Sequence, residues 1–129
     1  MDRFVTDTMA LIKLLNDEKV INKKIDQIFN EADNGKNIII IPSVVLFEIG
    51  YLSEKGRIDI SINDVKDKIN NCYNYIVVPL DLEIIECSFE IKDIPELHDR
   101  LIAGTASFLD LPLLTNDPVI KKSKFLKTI

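Results

Sequence analysis

Four acidic residues stand out for their settings. Asp7 follows Phe4-Val5-Thr6, Glu48 follows Pro42-Ser43-Val44-Val45-Leu46-Phe47, Asp99 precedes Arg100-Leu101-Ile102-Ala103, and Asp117 follows Leu113-Leu114-Thr115-Asn116. Each falls where a strand hands over to a helix, or early in a helix, and each is embedded in apolar sequence. An ionised carboxylate there is costly unless something neutralises it. Two carboxylates about 4 Å apart repel by roughly 4 kcal/mol at an effective dielectric near 20. If the fold gathers all four, some pKa values must rise, or the side chains must splay, unless a cation joins them. Donors that are all oxygen favour hard Mg²⁺ or Mn²⁺. A water held by such an ion can attack phosphorus while the ion offsets charge on the leaving oxygen. The chemistry expected of the set is metal-dependent phosphodiester hydrolysis.

Each acid has a plainer reading on its own. Asp7 could cap the first helix, Asp99 could favour the positive end of its helix dipole, Glu48 could lie on a solvated face, and Asp117 before Pro118 suits a turn. The inference therefore rests on the conjunction. Neighbouring residues carry weaker signals. Ser43 reads first as a helix cap, and Asn116 either hydrogen-bonds a metal-held water or steadies its turn. His98 reads as a partly exposed histidine at a helix start, since a metal-activated water needs no general base. Arg100 is expected to pair with an acid. Lys121, Lys122 and Lys124 form a basic tail near Asp117 that either touches a nucleic-acid substrate or is solvated.

The elements that must position these residues alternate between strand and helix. A brief strand over 4–6 runs into a helix through Met9-Ala10-Leu11-Ile12. Residues 18–34 carry Ile21, Ile25, Ile28, Phe29 and Ala32 at helical intervals, with Asn34-Gly35 as the stop. Ile38-Ile39-Ile40-Ile41 lacks alternation and reads as a strand covered on both faces, ended by Pro42. A helix then runs to about Glu54, closed by Gly56, with Glu48 in its second turn. Ile62, Val65, Ile69 and Tyr73 mark another helix, and Tyr75–Val78 a further buried strand. Asp81 caps a helix carrying Leu82, Ile85 and Phe89, and Pro95 opens one in which Asp99, Ile102, Ala103 and Ala106 share a face. Leu113–Thr115 is a short strand, Pro118 begins a last helical turn, and Phe125–Ile129 is a candidate edge strand. This alternation predicts an α/β fold with a mainly parallel central sheet and helices on both faces. In such sheets the crevice lies beyond the carboxyl ends of the strands, where one rim can collect all four acids.

Composition sets the bounds. With 129 residues, 47% hydrophobic and 29% charged, the chain suits one domain over 1–129 with a single core. No apolar run approaches the roughly 20 residues that span a bilayer, so no membrane role is expected. The N-terminus lacks a signal-peptide cleavage pattern and reads as the mature start of a cytoplasmic chain. Cys72 and Cys87 stand fifteen apart without a zinc or disulfide pattern and read as buried free thiols. The net charge of −5 argues against a broad basic face for nucleic acid. Setting the four acids aside leaves 17 acidic against 16 basic residues, so most of the acidic excess belongs to them.

Taken together, the segments resemble the PIN-domain ribonucleases of the VapC type, the toxin half of toxin–antitoxin pairs. The segment that carries most is His98-Asp99-Arg100-Leu101-Ile102-Ala103-Gly104-Thr105-Ala106, followed by Leu113-Leu114-Thr115-Asn116-Asp117. Asp7-Thr8 and Ile41-Pro42-Ser43 through Phe47-Glu48 match in order and spacing. The resemblance implies that Asp7, Glu48, Asp99 and Asp117 bind Mg²⁺ or Mn²⁺ and carry catalysis, with Thr115 supporting the last carboxylate. Thr8, Ser43 and Asn116 are the further supporting positions. It also implies an RNA substrate, homodimerisation, and inhibition by a small antitoxin whose basic side chain enters the acidic pocket. Two other functions compete: a non-catalytic RNA-binding or scaffold protein retaining the same fold, and a phosphate-accepting receiver domain. The receiver is disfavoured because Thr8 and Pro118 stand where it wants a second acid and a lysine.

Overall fold

The computed structural model describes residues 1–19 and 22–129. Its elements run β1 (Asp2–Thr6), α1 (Thr8–Leu15), α2 (Lys23–Asp33), β2 (Asn37–Pro42), α3 (Ser43–Glu54) and α4 (Ile62–Asn71). They continue with β3 (Tyr75–Val78), α5 (Leu82–Glu90), α6 (Leu97–Leu109), β4 (Leu113–Leu114) and α7 (Pro118–Lys121). The four strands form one sheet in the order β3-β2-β1-β4, every pair parallel. Phe4 lies beside Ile39, Thr6 beside Leu114, and Ile41 beside Val77.

The isoleucine run behaves as its composition requires. Ile39, Ile40 and Ile41 are all buried although successive side chains point to opposite faces, so helices cover both sides of β2. The core joins these residues to Val5, Leu11, Ile25, Val45, Ile49, Ile102 and Leu113. From β1 the chain passes to β2 and β3 on one side, then returns to β4 on the other. The topological switch point therefore falls between β1 and β4, and the crevice opens at their carboxyl ends.

Several expectations are corrected. The second helix begins at Lys23 rather than near residue 18, because Asn22 turns its side chain back onto the Lys24 and Ile25 N–H groups; Ile21 lies outside the described residues. Tyr73 falls beyond α4 and is 94% exposed. β3 is an edge strand, and Ile76 on it is exposed. Along α5 the buried residues are Ile84 and Ser88, while Leu82 and Phe89 are exposed: close packing against α6 selects the small side chain over the large ones. Residues 125–129 make only an isolated bridge, Thr128 to Leu113. The two free cysteines are half-buried rather than buried.

Candidate active site

β1 ends at Thr6, and Asp7 caps α1 by accepting from the Ala10 N–H at 2.8 Å. Asp7 is almost fully buried, and burial is the main force raising its pKa. The Thr115 hydroxyl and the Ala10 N–H oppose that rise; the charge of Asp117 adds to it. On the far side of the switch point, Thr115 is fully buried just after β4, and its Oγ1 accepts from the Asp117 N–H at 3.0 Å. Thr115 thus links both acids. Asp117 caps α7, its Oδ1 accepting from the N–H groups of Val119 at 2.8 Å and Ile120 at 3.2 Å.

Glu48 projects from the second turn of α3. The Thr8 hydroxyl donates to its Oε1 at 2.6 Å, joining α3 to α1. Burial raises the Glu48 pKa, with smaller contributions from Glu96 and Asp7, while Thr8 and His98 oppose the rise. Asp99 lies in the first turn of α6, whose cap is Glu96. The Glu96 carboxylate accepts from the Asp99 N–H at 2.6 Å through one oxygen and meets His98 Nδ1 at 2.8 Å through the other. The Asp99 carboxylate itself makes no hydrogen bond or ion pair among the described residues. Half-buried, it faces the charges of Glu96, Asp117, Glu48 and Asp7, and its pKa is pushed up to about 6, burial being the largest cause.

All four acids line one cavity of about 290 Å³, together with Thr8, Met9, Lys13, Leu52 and Asn116. Among the described residues no three acidic, histidine or cysteine groups converge closely enough to cage an ion. The carboxylates stand around the wall, as mutual repulsion dictates. The donor set nevertheless fits a hard divalent cation: every anionic donor is an oxygen, and three of the four have raised pKa values.

Other sequence assignments move. Ser43 does not cap α3, where Pro42 holds the cap position without a side-chain bond; its Oγ instead accepts from the Leu80 N–H at 2.9 Å, tying the start of α3 to the loop before α5. Ser43 lies outside the cavity. Arg100 donates through Nε to the Ile94 carbonyl at 2.9 Å instead of pairing with an acid. Lys121, Lys122 and Lys124 are exposed and none lines the cavity. His98 is held by Glu96, and that hydrogen bond is the main cause raising its pKa, with the charges of Glu48, Glu96 and Asp99 adding to it. Two residues at the site were not singled out by sequence. Glu96 had a usable signal, an acid two residues before the helical His98-Asp99; Lys13 had none, since only folding turns its face of α1 to the acids.

Solved structures share this architecture. VapBC from Salmonella typhimurium bound to DNA aligns over 100% of this chain and 98% of that one, with 19% identity and a TM-score of 0.72. VapBC2 from Rickettsia felis, bound to a promoter DNA fragment, covers 98% and 97% with 18% identity and a TM-score of 0.71. VapC20 of Mycobacterium tuberculosis, a sarcin-ricin-loop-cleaving toxin, covers 96% and 97% with 12% identity and a TM-score of 0.68. At these identities the likeness is one of fold. No curated protein matches the sequence. The PIN domain family model matches residues 4–126, a stretch that holds all four acids and the sheet except the first two residues of β1, and the chain therefore belongs to the PIN domain family.

Proposed function

We propose that the protein is a Mg²⁺- or Mn²⁺-dependent endoribonuclease, the toxin of a toxin–antitoxin pair. One observation carries the reading: a half-buried Asp99 carboxylate with no hydrogen-bond partner among the described residues, raised to a pKa of about 6 among other carboxylates. A structural acid finds a donor; this one faces a cavity and other negative charges, an arrangement that a divalent ion reconciles. PIN domains are generally nucleases that depend on divalent metals.

Asp7, Glu48, Asp99 and Asp117 would hold the ion. Once bound, it supplies a water activated for attack on phosphorus and offsets charge on the leaving oxygen. The protein's own part is orientation. Ala10 fixes Asp7, Thr8 fixes Glu48, and the N–H groups of Val119 and Ile120 fix Asp117. Thr115 couples the two acids that straddle the switch point, and Asn116 adds a neutral polar group to the wall. An acidic pocket on a chain of net charge −5 also suits a basic side chain from a small antitoxin. The VapBC complexes among the structural neighbours support that partner. Homodimerisation completes the proposal.

The test is cleavage of defined single-stranded and looped RNAs with Mn²⁺ or EDTA, comparing wild type with Asp7→Asn and Asp99→Asn. Loss of metal-dependent cleavage by both variants, with thermal unfolding still cooperative, is the expected result. Undiminished cleavage by both sinks the site. RNA association in Mn²⁺ without turnover by wild type would indicate the non-catalytic RNA-binding alternative.

A further inference from the structure

Four carboxylates equip the cavity for a cation and repel the polyanion that is to be cut, and the chain as a whole adds to that repulsion with its net charge of −5. Among the described residues one basic side chain lines the cavity wall, that of Lys13 on α1. It is half-buried and makes no ion pair or hydrogen bond among the described residues, although its charge is felt by Asp7. A lysine serving only to neutralise the acids would be expected to pair with one of them.

Its position on the helix sets its backbone apart from that of Asp7. Lys13 stands six positions after Asp7, a rise of about 9 Å along α1, and helical side chains lean back toward the N-terminus. Met9 and Lys13 lie four apart on one stripe of α1, and Glu48 and Leu52 four apart on one stripe of α3. The acids stand at the strand termini, Met9 and Leu52 add apolar surface to the same wall, and Lys13 joins that wall from further along α1, its ammonium leaning back far enough for Asp7 to feel its charge. That set of groups matches one nucleotide unit of a single strand: a phosphate at the acids, a sugar or base along the apolar surface, and the next phosphate at a cation.

From this placement we infer that Lys13 binds the RNA phosphate adjoining the scissile one and so positions the strand across the carboxylates. The inference rests on the ribonuclease reading for its substrate, and its test is built on binding so that the two can fail separately.

A fluorescein-labelled 2′-O-methyl phosphorothioate RNA, resistant to cleavage, is titrated with the full chain in Mn²⁺ over a series of KCl concentrations, for wild type, Lys13→Met and Lys13→Arg. Mn²⁺ affinity is measured in parallel by isothermal titration calorimetry. The expected outcome is about tenfold weaker binding by Lys13→Met at low salt and a salt slope shallower by about 0.7. Lys13→Arg should retain both, and Mn²⁺ affinity should not fall in either variant. An unchanged slope in Lys13→Met, no RNA binding by wild type, or weaker RNA binding that merely follows weaker Mn²⁺ binding overturns the inference. If wild type binds this RNA but leaves unmodified RNA uncut, the nuclease reading fails while Lys13 is still judged by its slope.

Discussion

Among the residues of the site, Asp99 has the environment that differs most from that of an ordinary carboxylate. Asp7 and Asp117 cap helices and Glu48 accepts from Thr8, so each has a donor. Asp99 has its backbone N–H held by Glu96 and its carboxylate left among like charges. A metal bound as proposed would have to displace the proton that Asp99 retains up to a pH of about 6. Mn²⁺ affinity should therefore rise with pH, by up to about tenfold per unit below pH 6 and little above pH 7 if Asp99 is the dominant titrating group. Isothermal titration between pH 5 and 8 checks this, and a profile already flat from pH 5 would count against a protonated Asp99.

At the scale of elements, the helix that carries Asp99 is seated by its contact with α5. Gly104 faces Ser88 so closely that a β-carbon at Gly104 would lie 2.8 Å from the Ser88 Cβ and 2.9 Å from its Cα, as well as meeting its Oγ. The last of those carbons is backbone, so rotating the serine side chain does not relieve the overlap. Gly104→Ala should cost on the order of 2 kcal/mol, the usual range for overpacking, despite alanine's better helix propensity. Urea unfolding of the variant reads this directly; a neutral or stabilising result would mean that α5 and α6 separate without penalty. The exposed Leu82 and Phe89 follow from the same contact. Helical periodicity identified α5, but it could not say which stripe faces inward, because a serine and a glycine permitting close approach outweigh two large apolar side chains.

At the scale of the molecule, the acidic pocket makes stability depend on pH. The pKa of Asp99 lies above its unfolded value of 3.8, at about 6, and those of Asp7 and Glu48 are also raised. Such groups contribute stability that is fully present below the unfolded pKa and lost as pH rises through the folded one. In EDTA, the melting temperature of wild type relative to Asp99→Asn should fall between about pH 4 and pH 7. Mn²⁺ should raise the wild-type melting temperature more at pH 7.5 than at pH 5, by linkage to the deprotonated site. Differential scanning calorimetry across that range checks both statements. A constant gap between the two proteins would show that Asp99 is not destabilised by its surroundings.

Much of this was legible in one dimension. The Ile38–Ile41 run, the prolines and glycines at element ends, and the alternation of periods determined a parallel α/β sheet, because backbone hydrogen bonding and two-sided burial leave few alternatives for such a chain. The order of the strands then followed only from folding, and with it the switch point that sets Asp7 beside Thr115 and Asp117. Local sequence admitted a cap at Asp7 and a turn at Asp117 only as the plainer readings, and the structure has both carboxylates capping helices, a contact made within three residues of each. Local sequence could not show Thr8 bonding Glu48 across 40 positions, Ser43 released from its expected cap to hold Leu80, or Lys13 facing the acids. Those are long-range contacts, decided by which helix faces meet, and a single sequence records the residues that can meet without recording the meeting.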